Sequence, residues 1–259
     1  MNSSELLEAL GARPDGEARW RARTPEHLQG AYGGTFGGLL AALAVGSAAG
    51  VEPGRVPFSL DAQFLRGLRG EEAEIRCEIV RSGRSLTAVA VSILDGDSLA
   101  TRATVMLADV GVLDDWDLVP DHPAPPAGGK RWGHPPGQTV GIIETLKPAA
   151  RRTDEGAIAT TITVPWEAPD APAVAACFSA DVATGPPVEA AFEGGWRPHP
   201  NPDLSLRFLP RRLTTSELVG VGRLDGVASG VAVIDLDVWC GPDRIAQGTA
   251  TSLISPPKR

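Results

Sequence analysis

The sequence predicts an α+β fold in which two similar halves each combine a central helix with antiparallel strands. The first observation is an internal repeat: Phe64-Leu65 recurs as Phe208-Leu209, 144 residues later, and Asp97 recurs as Asp243, 146 residues later. One gap of two residues keeps both pairs in order, and such self-similarity indicates a duplicated unit. A chain of 259 residues is long enough to hold two such halves.

The second observation is a pair of stretches that are almost free of charge. Residues 35–49 contain neither a charged residue nor a proline, and residues 171–184 contain Asp181 as their only acid. Both stretches are predicted as buried helices. Glycine weakens a helix by roughly 1 kcal/mol relative to alanine, so burial must stabilise the first one. The prolines at 186 and 187 predict the end of the second helix.

The third observation is a series of runs rich in Val, Ile, Leu and Thr that are separated by glycine-containing turns. Such runs predict strands. In the first half they are residues 57–64, 73–80, 86–94 and 99–107. In the second half they are residues 139–145, 157–164, 204–208, 217–223, 230–238 and 244–253. Each helix is therefore followed by an antiparallel meander.

A proline- and glycine-rich segment at residues 121–129 separates the two halves and predicts a linker. We predict a first unit at residues 1–110, the linker at 111–137 and a second unit at 138–259.

Composition excludes several classes of protein. The net charge of -8 and the dispersed arginines argue against nucleic acid as a partner. Three distant cysteines without metal-ligand spacing argue against a disulfide framework or a metal site. Residues 1–23 lack the apolar core of a signal peptide, and the longest apolar run, residues 39–45, is too short to span a bilayer. We therefore expect a cytoplasmic protein that does not associate with a membrane.

Four short motifs, taken in order, resemble those of a known family. They are Tyr32-Gly33-Gly34, Phe64-Leu65-Arg66, Arg81-Ser82-Gly83-Arg84-Ser85 and Ser179-Ala180-Asp181. Over roughly residues 20–254 the chain resembles the type II acyl-CoA thioesterases and their thioesterase-like relatives. The resemblance implies a double hotdog, in which two antiparallel sheets each wrap around a central helix.

The same resemblance implies hydrolysis of an acyl thioester by a water molecule that an aspartate activates. Asp181 matches that aspartate, and a buried carboxylate without partners would be costly. The alternative is a solvated acid on an exposed helix face. The family's threonine position corresponds to Asn201, which can still form hydrogen bonds, but its glutamine position falls on Ala250, which cannot. The neighbouring Thr251 could supply a hydroxyl there if the strand slips by one residue.

Two further pairs of residues are candidates for substrate binding. Gly33 and Gly34 precede the first predicted helix, where backbone N–H groups can bind an oxyanion or a phosphate. Their alternative role is a tight turn and close packing. Arg81 and Arg84 could bind the phosphates of coenzyme A, or they could simply flank a hairpin turn. We interpret His199 as a loop residue.

The sequence thus predicts an acyl-CoA thioesterase that requires neither a metal nor a redox cofactor. An alternative is a non-catalytic hotdog protein that binds acyl thioesters or lipids, because the glutamine is missing. A hydratase is disfavoured, since the second predicted helix has no histidine. We expect a homodimer, because exposed sheet edges tend to pair.

Overall fold

The computed structural model describes residues 3–114, 116, 123–133, 137–166, 171–192 and 195–256. Its helices are α1 (Ser3–Ala9), α2 (Gly37–Val51), α3 (Gly141–Leu146) and α4 (Pro172–Ala190). The strands of the first half are β1 (Ala12–Pro14), β2 (Arg19–Arg23), β3 (Val56–Phe64), β4 (Glu72–Ser82), β5 (Leu86–Asp95) and β6 (Ser98–Ala108). Those of the second half are β7 (Lys130–Arg131), β8 (Ala149–Arg152), β9 (Ile158–Thr163), β10 (Asp203–Phe208), β11 (Glu217–Ala228), β12 (Val231–Cys240) and β13 (Asp243–Leu253).

The strands of the described residues form one antiparallel sheet in the order β1-β2-β4-β5-β6-β3-β10-β13-β12-β11-β9-β8-β7. The halves meet where β3 pairs with β10, with Leu204 opposite Ala62. Outward from this pair, β6 matches β13, β5 matches β12 and β4 matches β11. The α+β class with antiparallel strands is confirmed. The two predicted sheets are joined into one, because β3 and β10 satisfy each other's free backbone groups.

Helices α2 and α4 pack against each other and against the same sheet. The helices predicted at residues 35–49 and 171–184 are thereby confirmed. Both are apolar on all sides rather than on one face, as a helix buried around its whole circumference must be. Small residues let the two backbones approach closely: a Cβ atom at Gly38 would lie 2.9 Å from the carbonyl oxygen of Cys177.

The prediction that Pro186 and Pro187 end the second helix is wrong, because α4 continues through both to Ala190. Each proline removes a backbone donor, which costs an isolated helix about 3 kcal/mol. Both prolines are buried, and the ring of Pro187 packs against β11 at Gly222. Tertiary packing therefore outweighs the local preference.

The strand predicted at residues 139–145 is also wrong, since this segment contains α3. The buried side chains of α3 are Ile142, Ile143 and Leu146, whose spacing is that of one helix face. Lys147 ends the helix in the left-handed conformation. A short apolar run is compatible with the periodicity of a strand and with that of a helix. Here a contact with the segment at Gln29 favours the helix, because the Gln29 carbonyl accepts a hydrogen bond from the Ile142 N–H.

Four short strands at the outer edges of the sheet, β1, β2, β7 and β8, were not predicted. The signal for β2 was present: Trp20 and Ala22 are buried between exposed arginines, which is the alternation of a half-buried strand. The domain boundaries stay a prediction, and residues 115, 117–122 and 134–136 of the predicted linker lie outside the described residues. Within the part of the chain that is described, no helix is long and apolar enough to cross a membrane.

Candidate active site

A cavity of about 290 Å³ lies between the first turn of α2 and the middle of α4. Its wall combines residues of both halves and is largely apolar. It includes Phe36, Gly37, Leu40, Phe64, Trp132, Ile142, Ile143, Val182 and Gly185. Such a concave, mostly apolar cavity with a few polar groups is the usual form of a small-molecule site.

Asp181 is the carboxylate of this cavity, and its position follows from the packing of α4. The helix lies against β11, where a Cβ atom at Gly220 would be 2.7 Å from the Ser179 carbonyl oxygen and one at Gly222 would contact the Ala183 carbonyl. Residues 179 and 183 are one turn apart and face the sheet. Asp181 lies between them in sequence and therefore on the other side of the helix, toward α2.

The carboxylate of Asp181 joins the two halves of the molecule. Its Oδ2 accepts a hydrogen bond of 2.8 Å from the Gly38 N–H in the first turn of α2. Its Oδ1 accepts one of 3.3 Å from the Asn201 side-chain amide. The positive end of the α2 dipole also faces this charge. The burial and contacts expected of Asp181 are therefore present, and it is not a solvated surface acid.

Burial raises the pKa of Asp181 from 3.8 to about 6, because removal from water disfavours the charged form. The hydrogen bonds from Asn201 and from the Gly38 N–H act in the opposite direction and limit the rise. At pH 7 most of the carboxylate is therefore ionised. A carboxylate with this pKa can accept a proton near neutral pH, which is the property that a general base needs.

A short network of hydrogen bonds orients Asn201. Its Oδ1 accepts from the Ser252 hydroxyl at 2.5 Å, so its amide nitrogen must face the other way. That nitrogen donates to Asp181 and, at 2.5 Å, to the Thr184 hydroxyl oxygen. The Thr184 hydroxyl in turn donates to the Asp181 backbone carbonyl at 2.7 Å. Asn201 is thus held with its donor toward the carboxylate.

The structure does not bring the Thr251 hydroxyl to this network. Thr251 donates its backbone N–H to Asp203, and its side chain points to the outer face of β13. Ala250 and Ser252 are both buried on the inner face, because residues two apart along a strand share a face. Sequence reasoning missed Ser252, although the two-residue period starting from Ala250 would have identified it.

The two glycine candidates contribute to the turn before α2. Gly33 has a φ of +75°, which favours glycine, and Gly34 lies so close to the segment 67–68 that a Cβ atom would be 3.1 Å from the Leu68 carbonyl oxygen. The N–H groups at the start of the helix belong instead to Gly37 and Gly38. Among the described residues, no acceptor is found for the Gly37 N–H, and Gly37 lines the cavity.

Arg81 and Arg84 lie at the β4–β5 turn, which the structure places away from the cavity. This turn is at the end of the sheet where Leu86 pairs with Ala108, and Ala108 also pairs with Val56 at the start of β3. The cavity is at the other end of β3, at Phe64. At 3.3 Å per residue, the two ends of β3 are about 25 Å apart. The arginines that line the cavity are Arg66 and Arg69.

His199 lies in a loop, as interpreted, but this loop is buried and forms part of the cavity wall. Only 3 % of its surface is exposed, and its ring contacts those of Tyr32, Phe192 and Trp196. Its Nδ1 lies 2.7 Å from the carbonyl oxygen of Arg197, so this nitrogen carries the proton. Sequence reasoning found no Ser or Cys partner for it; of its three aromatic neighbours, only Tyr32 comes from a distant segment.

Another acid, Glu189, fixes two loops beside the cavity. One carboxylate oxygen accepts from the Trp132 indole N–H at 2.8 Å and the other from the Trp196 indole N–H at 2.9 Å. The Trp132 ring also lies on α4, where a Cβ atom at Gly185 would be 2.9 Å from it. No group of three or more His, Cys, Asp or Glu side chains that could hold a metal ion is found among the described residues.

Comparison with solved structures identifies the fold of this protein. The TesB protein of Mycobacterium avium subspecies paratuberculosis superposes with a TM-score of 0.75 at 18% identity, covering 97% of this chain and 99% of that one. Acyl-CoA thioesterase II TesB2 from Mycobacterium marinum gives 0.72 at 16% identity, covering 98% of both chains. A hot dog fold protein from Alicyclobacillus acidocaldarius gives 0.72 at 19% identity, covering 98% and 99%. The chain therefore has a hotdog fold.

A match to a sequence family adds to this likeness in fold. Residues 25–108 match the acyl-CoA thioesterase N-terminal domain. The predicted resemblance to acyl-CoA thioesterases is thereby confirmed over residues 25–108. No curated protein sequence matches the chain.

Proposed function

We propose that this protein hydrolyses acyl-CoA thioesters to a free acid and coenzyme A, with Asp181 as the general base. The observation that supports this most directly is the buried, ionisable carboxylate of Asp181 at the cavity between the two halves. The matched thioesterase domain at residues 25–108 supports the choice of substrate class.

In the proposed reaction, the Asp181 carboxylate removes a proton from a water molecule in the cavity. The resulting hydroxide forms a bond to the thioester carbonyl carbon, and negative charge develops on the carbonyl oxygen. The Gly37 N–H, at the positive end of α2, is placed to stabilise that charge. Collapse of the intermediate breaks the C–S bond, and the proton held by Asp181 is returned to the departing thiolate.

Asn201 has a positioning role in this proposal. Its amide nitrogen donates to Asp181, while Ser252 and Thr184 fix its orientation. The amide therefore limits the rise in the pKa of Asp181 and holds the carboxylate at the cavity. We also propose that the molecule is a double hotdog with the halves at residues 1–110 and 138–259, and that it is a cytoplasmic homodimer. The mirrored strand order supports the first of these statements.

A second candidate function is the non-catalytic binding of acyl thioesters or lipids. The observation that favours it is Ala250, which is buried on the inner face of β13 and has no polar group where the resemblance places a glutamine. The apolar cavity would serve such a binding protein equally well.

Release of free thiol from a panel of acyl-CoA thioesters of different chain length separates the two functions. A hydrolase gives multiple turnovers on at least one member of the panel. A protein that binds acyl-CoA stoichiometrically, but releases no thiol above the uncatalysed rate, would leave the binding function in its place.

We expect the pH profile of the hydrolase to have an acid limb near pH 6. The base works only when ionised, and the pKa of Asp181 is about 6, so kcat/KM should fall about tenfold for each pH unit well below that value. Above pH 7 the profile should be level. Steady-state rates from pH 4.5 to 8.5 measure this. A limb centred near pH 4 would mean that the buried carboxylate is not the base.

The matched variant for the pH profile is Asn201→Ala. It removes a hydrogen bond that lowers the pKa of Asp181, so the acid limb should move to a higher pH. A limb that stays in place would contradict the positioning role of Asn201.

A further inference from the structure

The loop between β3 and β4 places two arginines at the cavity. We call residues 65–70 the arginine loop. Arg66, Gly67 and Arg69 all line the cavity, and both arginines are exposed. Asp181 is inside the same cavity, so the arginine loop forms its outer rim.

The backbone of the arginine loop is held firmly at both ends. The N–H groups of Leu65 and Arg66 donate to the Ala100 carbonyl at 2.9 and 3.3 Å. The Asp95 carboxylate accepts from the N–H groups of Arg69 and Gly70 at 3.1 and 3.4 Å. In the middle of the loop, the Leu68 carbonyl accepts from the Thr35 N–H at 2.8 Å. The two arginines are thus presented from a fixed backbone.

The guanidinium groups of the arginine loop have no acidic partner within the described part of the chain. Some exposed arginines have such a partner, as Arg207 has Asp61 at 3.1 Å and Arg223 has Asp235 at 3.0 Å, whereas others among the described residues, such as Arg102, also have none. In a protein with a net charge of -8, carboxylates are plentiful. Two unpaired guanidinium groups at the rim of one cavity therefore form an available site for an anion.

We propose that Arg66 and Arg69 bind phosphate groups on the carrier of the acyl thioester, outside the cavity, while the thioester enters toward Asp181. This inference rests on the proposed function. Guanidinium groups present forked donors that match phosphate oxygens, and they remain charged at all relevant pH values. The carrier is either a free nucleotide-containing thiol such as coenzyme A or a phosphopantetheine attached to a protein, since both carry phosphate.

The test compares substrates that share one acyl group but differ in phosphate. They are the acyl-CoA, the acyl-phosphopantetheine and the acyl-N-acetylcysteamine, which has no phosphate. The variant is Arg66→Ala with Arg69→Ala. The matched control is Arg81→Ala with Arg84→Ala, which removes the same charge at the far end of the sheet.

The loop variant should raise KM for acyl-CoA by roughly 10- to 100-fold, the range for losing a hydrogen bond to a charged group, with little change in kcat. The rate on acyl-N-acetylcysteamine should be unchanged, and the control should behave as the parent on all substrates. If acyl-phosphopantetheine loses as much as acyl-CoA, the pantetheine phosphate is the group bound. If only acyl-CoA is affected, the phosphates of its nucleotide are the groups bound. Equal losses on the phosphate-free substrate, or none on acyl-CoA, would overturn the proposal.

Binding of desulfo-CoA, measured by titration calorimetry, separates this proposal from the proposed hydrolysis. It requires no turnover, so a protein that hydrolyses nothing could still bind the ligand through the arginine loop. Binding that weakens at least tenfold in the loop variant, and not in the control, supports the site whatever the catalytic result. Binding that is equal in both variants removes it, even if the parent is an active hydrolase.

Discussion

Replacing Asp181 with asparagine is expected to lower kcat for acyl-CoA hydrolysis by roughly 10²- to 10⁴-fold, the usual effect of removing a general base. Asparagine has nearly the same shape but cannot accept a proton from water. Thiol release from the best acyl-CoA of the panel measures the loss. The matched control is Asp61→Asn, which changes an exposed carboxylate on β3 that pairs with Arg207. An Asp181→Asn protein as active as its parent would exclude this carboxylate as the base.

The same variant should not be less stable than the parent, which separates lost chemistry from lost structure. The pKa of Asp181 rises from 3.8 in the unfolded chain to about 6 in the folded one, so the folded state binds the proton more tightly. Stability is therefore lost as the pH rises from about 4 to 6, by about 3 kcal/mol in total. Asparagine avoids this cost.

We expect the free energy of unfolding at pH 7.5 to be about 1 to 2 kcal/mol higher in Asp181→Asn than in the parent. Removal of the buried charge stabilises the variant, and the loss of one hydrogen bond to Asn201 offsets about 1 kcal/mol of that gain. At pH 4 the gain should disappear, since the parent carboxyl is then largely protonated as well. Urea unfolding at both pH values tests this sign. A variant destabilised at pH 7.5 would indicate that the ionised carboxylate holds the two halves together.

Replacing Gly222 with alanine is expected to have the largest effect on stability, a loss of about 3 kcal/mol or more. The new Cβ would contact the Ala183 carbonyl oxygen and lie 3.0 Å from the ring of Pro187. Both belong to α4, and a backbone carbonyl cannot rotate away, so the helix itself would have to move. Activity should fall as well, because the same helix carries Asp181.

The control for this substitution lies on the same strand. A Cβ at Gly226 would meet no atom within 4 Å, so Gly226→Ala should change the free energy of unfolding by no more than about 0.5 kcal/mol. Urea midpoints of the two variants give the comparison. Equal stability of Gly222→Ala and the parent would mean that α4 does not depend on this close contact with β11.

The central helices could be predicted because a long stretch with almost no charged residues can be recognised from the sequence alone. The strands of the meanders were recognised for a similar reason, since their apolar runs end at glycine turns. The end of α4 was mistaken because the packing of Pro187 on Gly222 joins segments that are distant in sequence. The joining of both halves into one sheet also depends on a distant contact, between β3 and β10.

The candidate site was predicted in part. Asp181 was identified because an acid in an apolar helix requires partners, and Asn201 lies beside it. Ser252 was missed because the register of β13 decides which hydroxyl faces inward, and a shift of one residue exchanges the two faces. Arg81 and Arg84 were named as candidates, whereas Arg66 and Arg69 line the cavity, because sequence does not say which turn reaches which end of a sheet.

The pairing of β3 with β10 has a consequence for how this protein can change over evolutionary time. In a symmetric dimer of two identical half-length chains, every substitution would be present twice, once at each end of the pair of central helices. In one chain the ends are independent. Helix α2 contains no ionisable residue, whereas α4 carries Asp181. Covalent linkage thus lets one end of the helix pair keep a carboxylate at a cavity while the other remains a plain apolar contact.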